Sequence, residues 1–219
     1  MNYTKFNHEI TAYELKRLLP ESPLIINVGA NDGSTMEEIL DVLPGASIIA
    51  FEPDPRPLKR WRLKSCRNAS VYPIAISDRH GTFEFYQSGG SIPRSTAPCK
   101  NDWDYSGSLH VPTGHLDRDK AVKFPTIIEV ETAPLDAFFP FFKNPDMIYA
   151  DVQGSEARLI LGAQKTLSVT KWLYSEFGDV EQYHRQPDLR GLLSFLPDWD
   201  LVATYADNAL LKNRTIETL

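Results

Sequence analysis

The chain has 219 residues, 42% of them hydrophobic and 24% charged, the size and composition of one well-buried domain spanning residues 1–219. A formal net charge of −6 argues against a nucleic-acid surface, which needs clustered Lys and Arg, and no run approaches the roughly 18 apolar residues of a membrane span. Cys66 and Cys99 have no CxxC pattern and no companion His at ligand spacing, so neither a zinc site nor a disulfide framework is indicated; with no leader pattern in MNYTKFNHEI, a cytoplasmic protein is expected.

Thr11 and Glu14 form a capping box for a helix over Ala12 to Leu19, with Leu15, Leu18 and Leu19 at helical spacing and Pro20 as its stop. It is expected to pack on a sheet edge or to cover one end of a pocket. The apolar, β-branched run Leu24 to Val28 predicts a strand, and a turn with Gly29 and Gly33 follows. Ser34 with Glu37 then reads as a second capping box, opening a helix over Thr35 to Leu43 whose Met36, Ile39, Leu40 and Leu43 share one face.

Ser47 to Phe51 predicts the second strand, ending in Glu52. In EPDPRP, Asp54 is a cap and Pro55 the first helical residue of a helix containing Leu58, Trp61, Arg62 and Leu63. The basic stretch Lys59 to Arg67 reads as the solvated face of that helix, with a phosphate-bearing substrate or partner as the alternative. Val71 to Ile76 reads as one strand interrupted at Pro73.

Thr82 to Tyr86 alternates with period two and is expected to pair antiparallel with Thr126 to Val130. Between them, from Gln87 to Pro125, periodicity is lost in a segment rich in Gly, Ser, Pro and Asp that carries Trp103, Tyr105, His110 and His115. A stretch of that length with aromatic and His residues predicts a substrate-side lid rather than a linker. Trp103 and Tyr105 suit either stacking on a sugar or a partner interface.

Further on, a short helix is expected around Leu135 to Phe139 and a strand over Met147 to Asp151. A helix capped by Ser155 follows, with Ala157, Leu159, Ile160, Ala163 and Leu167 toward the core. Then come a strand from Lys171 to Phe177 carrying Glu176, a helix from Leu189 to Leu196 opened by Pro187 and Asp188, and a hairpin of Leu201 to Tyr205 with Ala209 to Lys212, turned at Asp207 and Asn208.

Alternating strands and helices indicate a mostly parallel sheet with helices on both faces, which binds ligands at the carboxyl ends of its strands. Asp32, Glu52, Asp78, Asp151 and Glu176 all fall at or just after strand ends and are expected to rim one mouth. The strand, glycine turn and helix at residues 24–43 resemble a nucleotide-binding unit, but Asp32 opposes a pyrophosphate, which is held by bare N–H groups at the positive end of a helix. A nucleoside whose reactive end carries an ammonium and a sulfonium satisfies the turn, so S-adenosylmethionine is the leading cofactor. Glu52 lies about 20 residues beyond the turn, where an acid takes ribose hydroxyls. A dinucleotide oxidoreductase would need G-x-G-x-x-G, and Asn31 occupies its second glycine position.

The motifs INVGANDGS, IAFEPDP, IAISDRHGTFEFY, TAPLDAFF and MIYADVQGSEARLILGAQKTL, in this order and spacing, resemble those of the FkbM-type methyltransferases. The resemblance implies a Rossmann-like class I methyltransferase fold with a mostly parallel seven-stranded sheet, an antiparallel C-terminal hairpin and an inserted β-hairpin or lid. It further implies that Asn27, Gly29, Asn31, Asp32 and Gly33 hold S-adenosylmethionine, with Glu52 on the ribose and Ala75, Ile76, Ser77 and Asp78 beside the adenine. Asp151 would lie near the methionine end and the methyl acceptor. Gln153 stands where the family motif carries Glu, which removes a base or metal ligand from that position.

The function expected is O-methylation of a hydroxyl on a sugar or other small metabolite, with the base drawn from Asp151, His110, His115 and His184. Asp151 and Glu176 lack a clear ligand set for a metal, and none is assigned. No nucleic-acid or membrane partner is expected, and a homo-oligomer is left open. The rival readings are a nucleoside-binding interaction module and, further off, an NAD(P)-binding oxidoreductase.

Overall fold

The computed structural model describes residues 3–92, 102–118, 120–142 and 144–216, so Cys99 lies outside the described residues. The elements in chain order are β1 (Thr4–Phe6), α1 (Ala12–Leu18), β2 (Leu24–Val28), α2 (Ser34–Val42), β3 (Ser47–Phe51), α3 (Pro55–Lys59), β4 (Ala69–Tyr72), β5 (Ala75–Ile76) and β6 (Gly81–Gly90). They continue with α4 (His115–Arg118), β7 (Val122–Ala133), a 3-10 helix (Leu135–Phe141), β8 (Met147–Ala150), α5 (Glu156–Gly162), α6 (Gln164–Val169), β9 (Trp172–Glu176), α7 (Leu189–Ser194), β10 (Trp199–Tyr205) and β11 (Asn208–Asn213).

Eight strands form one sheet in the order β1-β10-β11-β9-β8-β2-β3-β4. Neighbours run parallel except at β11, which is antiparallel to both β10 and β9. This is a Rossmann-like sheet with one strand more than the seven expected: β1 adds beside β10, and its three residues are too few to show a period. Both faces are covered, which is why β2 reads as a continuous apolar run. Ile25 packs with Met36, Ile39, Ile48 and Met147 on the side of α1 and α2, while Ile26 packs with Ile148, Leu159, Leu173 and Leu192 on the other.

A second, three-stranded sheet in the order β5-β7-β6 stands beside the first. The pairing expected for Thr82 to Tyr86 is present, with Phe83 opposite Val130 and Tyr86 opposite Ile127, and the hairpin runs further in both directions. The unpatterned insert thereby shrinks from 87–125 to a connection between Gly90 and Val122 that contains α4. Among the described residues no helix is long and apolar enough to cross a membrane.

Several local expectations are corrected. The Thr11–Glu14 capping box forms, but Ser34 is not a cap: Gly33, at φ 83°, holds that position, and the Ser34 N–H donates to the Asp32 carboxylate at 3.1 Å. Glu37 instead accepts from Arg62 at 3.0 Å. Helix α3 ends before Trp61, which turns back into the core, so the basic stretch is no helical face. The run Val71 to Ile76 is divided between two sheets, because the chain turns at Pro73 and Ile74. The helix after Ser155 breaks at Ala163, and Ser155 makes no side-chain capping bond. Asp136 causes this break by accepting from the N–H groups of Lys165 and Thr166 and so starting α6 afresh. The terminal hairpin turns at Ala206 and Asp207, with Asn208 already paired in β11.

Candidate active site

β2 has β3 on one side and β8 on the other, so the order of the sheet reverses there, and a cavity opens at the carboxyl ends of these strands. One wall is apolar, built by Phe51, Ile74, Ala75, Ile76, Phe85 and Leu109. The opposite part carries Asn31, Glu52, Asp104, Asp151 and Gln153, and no Lys or Arg is among the described residues that line it.

The turn after β2 is held to the end of β3: the N–H groups of Gly29 and Ala30 both donate to the Phe51 carbonyl. Gly29 sits at φ 80° with its Cα against the Asp151 backbone, and a Cβ there would run into the Asp151 carbonyl oxygen. Only glycine permits that approach. The turn then presents Asn31, itself left-handed at φ 48°, whose N–H donates to Glu52 Oε2 at 2.8 Å and whose Nδ2 donates to the Asp104 carbonyl at 3.0 Å. The other oxygen of Glu52 accepts from the Asp54 N–H at 2.7 Å, and burial pushes this carboxyl up to about 8.

Several residues expected at the cofactor are not among those that line this cavity. Asp32 is buried but turned out of the cavity, accepting from Ser34 and from Arg62 Nε at 3.3 Å, because Arg62 is the nearest cation and pairs with it. Gly33 lies under the Trp61 ring. Asn27 sits within the sheet and donates to the Tyr149 carbonyl at 3.3 Å. Ala75 and Ile76 line the wall, whereas Ser77 donates to Asp78, and Asp78 is engaged by Arg158 at 3.1 Å and Arg79 at 3.3 Å outside the cavity.

Asp151 follows β8 and is exposed to the cavity. Gln153, at φ 51°, donates Nε2 to Asp151 Oδ1 at 2.6 Å and to Glu176 Oε2 at 3.2 Å. Its amide is oriented by the Tyr183 hydroxyl, whose single proton lies between two acceptors, Gln153 Oε1 at 2.7 Å and the Ser106 carbonyl at 3.0 Å. Desolvation raises the carboxyls of Asp151 and Glu176, and the charge of Asp151 raises Glu176 further. Nearby Glu156 is pushed up to about 7 by burial.

Of the four candidate bases only Asp151 lines the cavity. His110 follows the lining residue Leu109, its Nε2 is buried without a partner, and burial lowers its pKa. His115 packs edge-on against Phe124 and Tyr183, and His184 lies in solvent near Glu181. Asp104 was missed at sequence level, Tyr105 was singled out only for stacking on a sugar or at a partner interface, and Tyr183 was missed. The first two lie in the unpatterned connection, where the aromatics were the sole signal, and Tyr183 lies in a segment without periodicity.

A doubly wound sheet whose switch-point cavity joins apolar residues to carboxylates, with no Lys or Arg among the described residues that line it, is an α/β fold of the kind that binds nucleosides. Residues 27–203 match the methyltransferase FkbM domain, and the chain belongs to that family: it is an S-adenosylmethionine-dependent methyltransferase. It is 37% identical over 187 residues to the 2-O-methyltransferase NoeI of Sinorhizobium fredii, a match that spans 84% of this chain and 74% of that protein. More distant likenesses are found among solved structures. Aeropyrum pernix fibrillarin in complex with S-adenosyl-L-methionine has a TM-score of 0.48 at 13% identity, over 92% of this chain and 72% of that one. The N-terminal domain of EvdMO1, in the presence of SAH and D-fucose, has a TM-score of 0.47 at 13% identity, over 93% and 80%. Membership in this family disfavours the readings as an interaction module or an oxidoreductase.

Proposed function

We propose that the chain methylates a hydroxyl of a saccharide or another small hydroxylated metabolite, with Asp151 as the general base. The observation that carries this reading is that Asp151 lines the cavity while His110, His115 and His184 do not. When bound, S-adenosylmethionine supplies a methyl group on a sulfonium. Gly29, Asn31 and Glu52 would hold its ribose side, and Ile74, Ala75 and Ile76 would cover the adenine. Asp32, Gly33 and Asn27 shape the turn and the strand rather than touch the cofactor.

Asp151 would accept the proton of the acceptor hydroxyl, whose oxygen would take the methyl group as the carbon–sulfur bond breaks and a neutral thioether is left. Desolvation raises that carboxyl, which makes it a stronger base than a free aspartate. Gln153 contributes by donation: a glutamate there would add a further negative charge beside Asp151 and Glu176, whereas the amide binds both. The apolar wall excludes water from the transfer. The 2-O-methyltransferase relative supports a hydroxyl acceptor.

The test is a panel of saccharides and hydroxylated metabolites, scored for S-adenosylhomocysteine release and methylated product. Asp151→Asn is expected to lower kcat by about 10²–10⁴ while S-adenosylhomocysteine still binds. Turnover near wild type in that variant would reject Asp151 as base, and products methylated only on nitrogen would reject the hydroxyl acceptor.

A further inference from the structure

We propose that Asp104, from the connection between β6 and β7, is a second acidic ligand for the vicinal hydroxyls of the bound nucleoside, acting beside Glu52. This deepens the nucleoside-site reading above and rests on it. Asp104 lines the cavity, yet its side chain is only 1% exposed. One carboxylate oxygen, Oδ2, accepts from Arg60 Nη2 at 2.7 Å; the other, Oδ1, is buried and has no hydrogen-bond partner. A buried carboxylate oxygen without a donor is unfavourable and rare, and a ligand that brings a donor completes it.

The kind of donor follows from the surroundings. Asn31 links the two acids, since its N–H donates to Glu52 and its Nδ2 donates to the Asp104 carbonyl. Each Glu52 oxygen already accepts one backbone N–H and keeps a lone pair. Two acceptors brought together by one residue match two O–H donors fixed on adjacent carbons of a ring. Among the described residues no group of three or more His, Cys, Asp or Glu could hold a metal ion, so a cation is not the occupant that the side chains suggest. The proximity of the charges is felt at Glu52: after burial, the neighbouring Asp54 and Asp104 carboxylates also raise it. Arg60 is then a positioning residue that holds Asp104 toward the cavity.

The segment expected to serve the acceptor therefore serves the cofactor as well, through Asp104.

The experiment is isothermal titration of the full chain and of Asp104→Asn with S-adenosylhomocysteine, adenosine and 2′,3′-dideoxyadenosine. Asp104→Asn is expected to weaken the first two by about tenfold to a hundredfold and to leave the dideoxy compound unchanged. A merely structural role would weaken all three alike, and that result, or unchanged affinity for adenosine, overturns the proposal. Should Asp104→Asn not fold, Arg60→Met, which keeps the carboxylate but frees it, is expected to give the same selective loss at about threefold or more. Failure of the unaltered chain to bind S-adenosylhomocysteine would instead overturn the nucleoside site as a whole.

Discussion

Glu52→Gln separates the demands of the site from those of the fold. In the ligand-free protein burial raises Glu52 from 4.5 to about 8, a difference worth about 5 kcal/mol as an upper figure, because water entering the cavity screens the charge. Its folded-state pKa lies above the unfolded value, so its contribution to stability is complete below about pH 4.5 and is lost as the pH rises to about 8. Glutamine resembles the protonated acid in shape and cannot ionise. Its NH2 group cannot accept the backbone N–H that one Glu52 oxygen accepts, at a cost of about 1–3 kcal/mol at every pH, so relative to the wild type the variant should gain about 2–5 kcal/mol between pH 5 and pH 8, while losing affinity for S-adenosylhomocysteine. Urea unfolding of both proteins without ligand, at several pH values, gives the difference directly, and Glu156, Asp151 and Glu176 are common to both and cancel. A difference that stays flat with pH, or a wild type that gains on the variant as pH rises, would refute the reasoning.

Three further substitutions test other parts of the argument. Gly29→Ala places a Cβ against the Asp151 carbonyl at a left-handed residue, so a loss of about 3 kcal/mol or more is expected in urea unfolding, and an unchanged midpoint would reject the close approach. Tyr183→Phe removes the hydroxyl that orients Gln153; about 1–3 kcal/mol of stability should be lost and kcat should fall, with S-adenosylhomocysteine affinity preserved in titration. Thr11→Ala breaks the first capping box, remote from the cavity, and should cost about 1 kcal/mol in thermal unfolding with kcat unaltered.

What could be read in the chain was what local chemistry decides. A continuous apolar run followed by glycines specified β2 and its turn, because a strand covered on both faces has no polar side to show. Period two specified the pairing of Thr82–Tyr86 with Thr126–Val130, and a fixed spacing after the turn marked Glu52. The direction in which a polar side chain points depends on partners far along the chain. Asp32 is turned toward Arg62, 30 residues on, and Asp104 is held beside the cavity by a bond from Asn31 across 73 residues. Tyr183 likewise becomes part of the site only because its hydroxyl meets Ser106, 77 residues away. The sequence by itself determined the sheet, the glycine turn and the family; the tertiary structure decided which carboxylates share the cavity, because a buried charge takes the orientation in which a partner or a ligand meets it, and those partners are assembled only when the chain folds.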